Sequence, residues 1–120
     1  MYKSLAEAIR DAETSGRTLA ETALALESKD QGRPVEEIRS ALRRALEVMR
    51  GAVERGLAGD LRSASGLVGG DAALVAASRA GPMAGTLFSD VLARALAVQE
   101  VNAAMGVIVA APTAGGAGVL

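Results

Sequence analysis

The most constraining feature of this chain is a helical repeat of apolar residues in its first half. Apolar residues recur at intervals of four and three, at Ile38, Leu42, Leu46, Met49 and Val53. These intervals place the side chains on one face of an α-helix of about five turns. No segment shows the period-two alternation of a strand over a useful length. The sequence therefore predicts an all-α fold.

Two shorter helices are predicted before this one. Ser4 is placed to cap the first helix, and the pair Ser15-Gly16 is a stop signal. Thr18 and Glu21 have the spacing of a capping box at the start of the second helix. The second helix is expected to end at Asp30–Gly32, where glycine favours a left-handed turn.

Three more helix starts can be placed along the chain. Pro34 is tolerated in the first turn of the third helix, and Asp71 is expected to cap a fourth helix that runs to about Arg79. A fifth helix is predicted from about Thr86 and should end before Pro112. Its expected apolar stripe is Leu87, Val91, Leu92, Ala95, Val98, Val101, Ala104, Met105 and Ile108.

The amino-acid composition limits how such helices can pack. Phe88 and Tyr2 are the only aromatic residues among 120, although half of the chain is apolar. The core must then be built from small and aliphatic residues, so stability depends on close helix packing or on a partner chain. A homo-oligomer is one form that such a partner could take.

Charged residues are distributed unevenly. They are dense up to Arg62 and sparse afterwards, and there are none from Val101 to the end at Leu120. We therefore expect one domain over 1–120, with a charged helical unit at 1–56 and with glycine-rich loops and buried helices at 57–120. The uncharged end closes on PTAGGAGVL, which predicts an incomplete part of a larger helical domain.

Composition also argues against several classes of function. A net charge of −1 does not favour nucleic acid as a partner, and the chain contains no cysteine or histidine for a metal site. Charged residues lie close to Met1, so a secretory signal is not expected and we place the protein in the cytoplasm. Asn102, Pro112 and the glycines make the uncharged end a poor membrane helix.

Two glycine-rich loops are candidate binding sites. They are SASGLVGGD at 63–71 and PTAGGAG at 112–118, and both combine glycines with hydroxyl groups. Glycine lets backbone N–H groups approach an anion, and the first loop leads into a helix N-terminus. A capping Asp71 would compete for the same donors. Neither loop has the P-loop or dinucleotide pattern, so a purely structural turn remains open for both.

Asn102 is the other polar position of interest. It lies between Val101 and Ala103 on an otherwise apolar helix, where a buried amide needs hydrogen-bond partners. A structural contact with a neighbouring loop and a contact with a substrate are both consistent with this position.

Several segments together resemble a known family. They are EVMRGAVERGL (47–57), SGLVGGDA (65–72), AVQEVNAAMG (97–106) and APTAGGAG (111–118). In this order and spacing they are similar to the α chain of iron–sulfur-dependent L-serine dehydratase. The resemblance spans nearly the whole chain, and several ordered motifs are more specific than any one of them.

The resemblance implies a cytoplasmic lyase that converts L-serine to pyruvate and ammonia without pyridoxal phosphate. It implies a [4Fe–4S] cluster held by cysteines that lie later in the family's α chain, so none of its ligands is in this segment. The implied partners are a β chain and the remaining C-terminal part of the α chain. The isolated segment is predicted to be inactive.

Within this family reading, the two loops and the helix between them form the hypothetical substrate site. Hydroxyl groups and backbone N–H groups of the first loop bind the carboxylate of L-serine, while two further side chains orient its amino group or hydroxyl. The loop residues are Ser63, Ser65, Gly66, Gly69 and Gly70, and the orienting residues are Asn102 and Thr113.

Two other readings of the residues remain. One is a non-catalytic helical interaction module, or the remnant of a split gene, that docks on a partner through its alanine-rich second half. The other is a fragment of a pyridoxal-phosphate enzyme with the first loop as phosphate cup. That reading needs a Schiff-base lysine, and only Lys3 and Lys29 are present, both on polar stretches.

Overall fold

The computed structural model describes residues 2–78 and 85–110, which contain five helices. The part of the chain described contains no strand, and the predicted all-α fold is confirmed. Arg79, Thr113 and the loop at 112–118 lie outside the described residues. The helices are α1 (Leu5–Ser15), α2 (Leu19–Gln31), α3 (Val35–Leu57), α4 (Asp71–Ala77) and α5 (Gly85–Ala103).

The ends of α1 and α2 lie where local signals predict them. The Ser4 hydroxyl accepts a hydrogen bond from the Glu7 N–H, and Gly16 ends α1 in the left-handed region with φ of 65°. Thr18 and Glu21 form both bonds of the capping box, and Gly32 ends α2 with the same φ. Hydrogen bonds from the Thr18 N–H and then the Thr18 hydroxyl lower the pKa of Glu21.

The glycines within α3 do not end the helix. The Pro34 carbonyl accepts hydrogen bonds from the N–H groups of Glu37 and Ile38, at 3.0 and 3.3 Å, and the helix continues through Gly56 to Leu57. Of the predicted apolar face, Ile38 is buried, whereas Leu42 and Leu46 are exposed. The periodicity identified the helix correctly, but not all of the face is covered.

The chain divides into two compact units, Met1–Arg44 and Ala45–Leu120. In the first unit α1 packs on α2, and Ala12, Thr22 and Ile38 are buried. In the second unit α4 packs on α5, and a small core forms from Ala52, Val98 and Val101, with Val53, Leu61 and Ile108 against it. The predicted division of the chain at 56/57 stays a prediction.

Small residues make the close contacts of the second unit. A Cβ atom added to Gly56 would lie 2.2 Å from the Ala97 carbonyl oxygen, so α3 and α5 approach at backbone distance. Ala93 and Ala97 are buried on α5, whereas Leu87, Val91 and Leu92 of the predicted apolar stripe are exposed. In its first half, the predicted stripe is therefore not covered by the described residues.

Helix α5 ends at Ala103, earlier than predicted. Met105 adopts φ of 60°, its N–H donates to the Asn102 carbonyl at 3.0 Å, and the Gly106 N–H donates to the Val101 carbonyl at 2.8 Å. These two bonds form a Schellman ending. A Cβ atom on Gly106 would lie 2.5 Å from a methyl carbon of Val101, so glycine is required where the chain turns back. The stop signal is Gly106 rather than Pro112.

None of the helices in 2–78 and 85–110 has the length and hydropathy needed to cross a membrane.

Candidate substrate-binding site

The first glycine-rich loop is an ordered connection between α3 and α4. The Ser63 N–H donates to the Val68 carbonyl at 2.8 Å, and the Val68 N–H donates to the Ser63 hydroxyl oxygen at 3.2 Å. The Gly66 N–H closes the turn by donating to the Ser63 carbonyl at 2.9 Å. Ser63 thus holds both ends of a compact turn in place.

The two serine hydroxyls predicted to bind substrate lie together. The Ser63 and Ser65 hydroxyl oxygens are 3.1 Å apart, and the Ser65 hydroxyl also accepts a weak bond from the Leu67 N–H at 3.4 Å. Ser63 is half-buried and Ser65 is exposed. Both hydroxyls stabilise the loop, and the proton of one of them is used in the bond between the two, so one hydroxyl proton can be directed toward a ligand.

Different structural constraints favour glycine at the three glycine positions of this loop. Gly66 has φ of 72° with open space around it, so only its backbone conformation favours glycine. Gly69 has φ of 139°, and a Cβ atom there would lie 2.1 Å from the Leu61 carbonyl oxygen. Gly70 has φ of 90°, and its added Cβ would lie 3.1 Å from the Arg62 guanidinium. The backbone at Gly69 and Gly70 is therefore packed closely against the chain that enters the loop.

Arg62 brings a positive charge to the loop. Its guanidinium donates to the Gly59 carbonyl at 3.1 Å and to the Leu61 carbonyl at 2.5 Å, and it lies beside Gly70. These bonds fix a cation against the backbone whose amides were predicted to bind a carboxylate. An arginine held there favours an anionic ligand.

The start of α4 is capped by Glu100 and not by Asp71. Asp71 is the first residue of α4, and the residue before it, Gly70, has no side chain to cap the helix. One Glu100 carboxylate oxygen accepts from the Gly70 N–H and the other from the Ala72 N–H, both at 2.9 Å. The predicted cap was wrong because a carboxylate from α5, distant in sequence, fills the position that a local residue usually takes.

This cap changes which donors of the loop remain for a ligand. The N–H groups of Gly66 and Gly70 are already used, by the Ser63 carbonyl and by Glu100. Across 2–78 and 85–110, no atom accepts a hydrogen bond from the Gly69 N–H. The loop therefore offers the Gly69 amide and the serine hydroxyls, with the Arg62 charge beside them.

Asn102 is exposed near the end of α5, and its carbonyl takes part in the helix ending. Among the described residues, no hydrogen bond joins its side chain to the loop. The structural contact with a neighbouring loop is therefore not seen among these residues, and the contact with a substrate stays a prediction. The buried acidic side chain on α5 is Glu100, two residues earlier, with 3% of its surface exposed.

Glu100 and Arg62 are the residues of this region that sequence reasoning missed. Glu100 follows Ala93 and Ala97 at intervals of seven and three, so it lies on the same helix face as the small buried residues. A carboxylate on such a face needs hydrogen-bond donors from another element. That spacing is the signal that could have identified it.

The residues present do not fit an iron–sulfur cluster. The chain has no cysteine and no histidine. Within the described ranges, no group of three or more acidic residues comes together at a position that could hold a metal ion. No chemical step of a cluster can be assigned to these residues.

Comparison with known proteins gives the family. Residues 13–120 match the family model "Serine dehydratase alpha chain". The chain is 38% identical over 122 aligned positions to a Bacillus subtilis (strain 168) protein named "Probable L-serine dehydratase, alpha chain". The match covers the whole of this chain and 40% of that relative, and no solved structure matches. A model match over nearly the full length, together with this identity, shows that the chain belongs to the serine dehydratase alpha chain family.

Proposed function

We propose that this chain forms part of an L-serine dehydratase, which converts L-serine to pyruvate and ammonia by iron–sulfur-assisted β-elimination. Its role is to supply substrate-binding loops and not cluster ligands. The single observation that carries this proposal is the ordered loop 63–70, where paired hydroxyls and a glycine amide lie beside a fixed arginine. The family match supports the choice of reaction.

The loop is suited to the carboxylate of an amino acid. Ser63, Ser65 and Gly69 donate to its oxygens, and Arg62 adds the opposite charge, which strengthens such hydrogen bonds. Gly66 and Gly70 take part through their backbone conformations, because their N–H groups donate within the protein. A side chain at Gly69 would meet the Leu61 carbonyl and displace these donors.

Asn102 and Thr113 complete the proposed site by orienting the amino group or the hydroxyl of L-serine. The exposed position of Asn102 at the end of α5 leaves its amide accessible to a ligand. Thr113 lies outside the described residues. A general base is not assigned.

The cluster of the proposed enzyme lies in residues other than these. The chain spans about 40% of the length of the curated relative it matches. We propose that the remaining C-terminal part of an α chain carries the [4Fe–4S] ligands, that a β chain completes a cytoplasmic enzyme, and that pyridoxal phosphate is not used. Self-association of the chain is a further form of assembly that we propose.

Exposed apolar side chains support such partners. Leu74 on α4 is 68% exposed and Leu87 on α5 is 78% exposed, and Phe88 next to it is also exposed. Large apolar side chains that cluster at a surface are typical of an interface. The same observation favours the second candidate function, a non-catalytic helical module that docks on a partner chain.

The test uses the complete enzyme, with α and β chains and its cluster, and measures pyruvate formation from L-serine. Ser65→Ala and Asn102→Ala are each expected to raise KM or to lower kcat by about tenfold, since each removes a hydrogen bond to substrate. Ser15→Ala is the matched control, because its hydroxyl donates to the Asp11 carbonyl within α1. Kinetics unchanged in both site variants would remove the assignment of the loop.

Absence of pyruvate formation by the unaltered enzyme would remove the proposed reaction itself. It would favour the helical module instead.

A further inference from the structure

We propose that Glu100 is a positioning residue of the substrate site, because its carboxylate ties α5 to the glycine-rich loop and thereby sets where the donors of the loop stand. The inference rests on the serine dehydratase function proposed above. Glu100 is not proposed to touch the substrate.

Both oxygens of the Glu100 carboxylate accept backbone hydrogen bonds. Each oxygen accepts one backbone N–H at 2.9 Å, from Gly70 and from Ala72, which precede Glu100 by 30 and 28 residues. The side chain is 3% exposed. A carboxylate out of water is costly unless hydrogen bonds compensate it, so retaining one here requires both bonds.

Residues near the Glu100 side chain are fully buried. Ala97 and Val101 on its own helix and Ala72 on α4 have no exposed surface. Close packing by such residues restricts the conformations open to the side chain. Both oxygens accept from the protein's own backbone, which ties the side chain to the start of α4.

The hydrogen bond between Glu100 and Gly70 lies next to the groups of the loop that we propose to bind the substrate. Gly70 adjoins Gly69, whose N–H donates to no atom of the described residues and which is packed against the Leu61 carbonyl. A Cβ atom added to Gly70 would lie 3.1 Å from the Arg62 guanidinium. Loss of the Glu100 bond at Gly70 would release one of the contacts that fix the Gly69 amide and the Arg62 charge relative to each other.

Two substitutions of Glu100 separate the effect of side-chain length from the effect of side-chain charge. Glu100→Gln keeps the length and one acceptor oxygen, but its amide nitrogen would face a backbone donor. Glu100→Asp keeps the charge but draws the carboxylate back by roughly 1.5 Å, one carbon–carbon bond. Glu54→Gln is the matched control, since Glu54 is an exposed glutamate on α3 in the same unit.

The experiment measures KM and kcat for L-serine in the assembled α and β chain enzyme, together with hydrogen–deuterium exchange of the peptide covering 66–73. Glu100→Gln and Glu100→Asp are expected to raise KM about tenfold with kcat within about twofold, because binding weakens equally in the ground and transition states. Exchange at Gly70 and Ala72 should become faster. Glu54→Gln should change neither quantity.

Two outcomes would overturn the inference while the unaltered enzyme still forms pyruvate. One is unchanged exchange of the peptide covering 66–73 in both Glu100 variants. The other is faster exchange with an unchanged KM, which would make Glu100 a structural cap only. An unaltered enzyme without serine turnover would instead refute the proposed function, and the exchange data would still report on the link from Glu100 to Gly70.

Discussion

At the scale of single residues, the loop glycines differ in how much space the surrounding backbone leaves for a side chain. Gly66 and Gly69 both have positive φ, but only Gly69 lies against another part of the backbone. A substitution at Gly66 strains one residue, whereas a substitution at Gly69 must move the chain at Leu61. The two positions therefore separate conformational strain from steric exclusion.

We expect Gly69→Ala to be clearly more harmful than Gly66→Ala. An alanine in the left-handed region costs about 1–2 kcal/mol, which is the cost expected at Gly66. At Gly69 the added methyl group would lie 2.1 Å from the Leu61 carbonyl oxygen, so displacement of the loop adds to that cost. Urea denaturation of both variants measures the free energies of unfolding. Equal losses of stability would show that the loop moves freely away from Leu61.

At the scale of elements, small residues decide how α3 and α5 pack. Gly56 is buried within α3, and the space for its missing side chain is filled by the Ala97 backbone. Gly51 lies five residues earlier in the same helix with nothing within 4 Å of an added Cβ. One helix thus carries a glycine that packing requires and a glycine that packing does not require.

The prediction at this scale compares Gly56→Ala with Gly51→Ala. Gly51→Ala should stabilise the chain by about 0.5–1 kcal/mol, because alanine loses less entropy in a helix interior. Gly56→Ala should destabilise it by about 1–3 kcal/mol, because its methyl group would lie 2.2 Å from the Ala97 carbonyl oxygen and force the helices apart. The measurement is urea denaturation followed by helical circular dichroism. Stabilisation by both variants would contradict the close contact.

Elements set by neighbouring residues could be predicted from the sequence, and those set by distant residues could not. The caps at Ser4 and Thr18 involve residues three positions away, so their spacing identified them. The cap of α4 comes from Glu100, about thirty residues away, and no local pattern indicates which carboxylate arrives there. The same holds for Arg62, whose contacts depend on the path of the loop.

The same distinction between local and distant contacts applies to the candidate site. Pairing of the Ser63 and Ser65 hydroxyls follows from their separation by two residues in a turn. The donors of Gly66 and Gly70 looked available because their acceptors, a carbonyl inside the turn and a carboxylate on α5, depend on the folded geometry. The exposure of Asn102 could not be predicted, because the sequence predicts that α5 continues to Ile108, whereas it ends at Ala103.

At the scale of the whole molecule, the exposed apolar side chains of α4 and α5 are the main feature that the chain's own packing does not explain. Leu87 and Phe88 stand next to each other near the start of α5 with large exposed surfaces. Burying one leucine side chain contributes about 1.5–3 kcal/mol. A partner that covers these residues would therefore gain affinity from them.

The last prediction places this surface in the assembly. Leu87→Asp should weaken association of the α chain with the β chain, or of the two parts of a divided α chain, by about tenfold or more, because a charge would replace a buried leucine. Helical circular dichroism should stay unchanged, since Leu87 is 78% exposed in the chain itself. Arg50→Asp, at an exposed position of α3, introduces the same side chain with a larger change of charge and should leave association intact. Binding is measured by titration calorimetry with the purified parts, and equal affinities of the Leu87 variant and the unaltered chain would place the interface elsewhere.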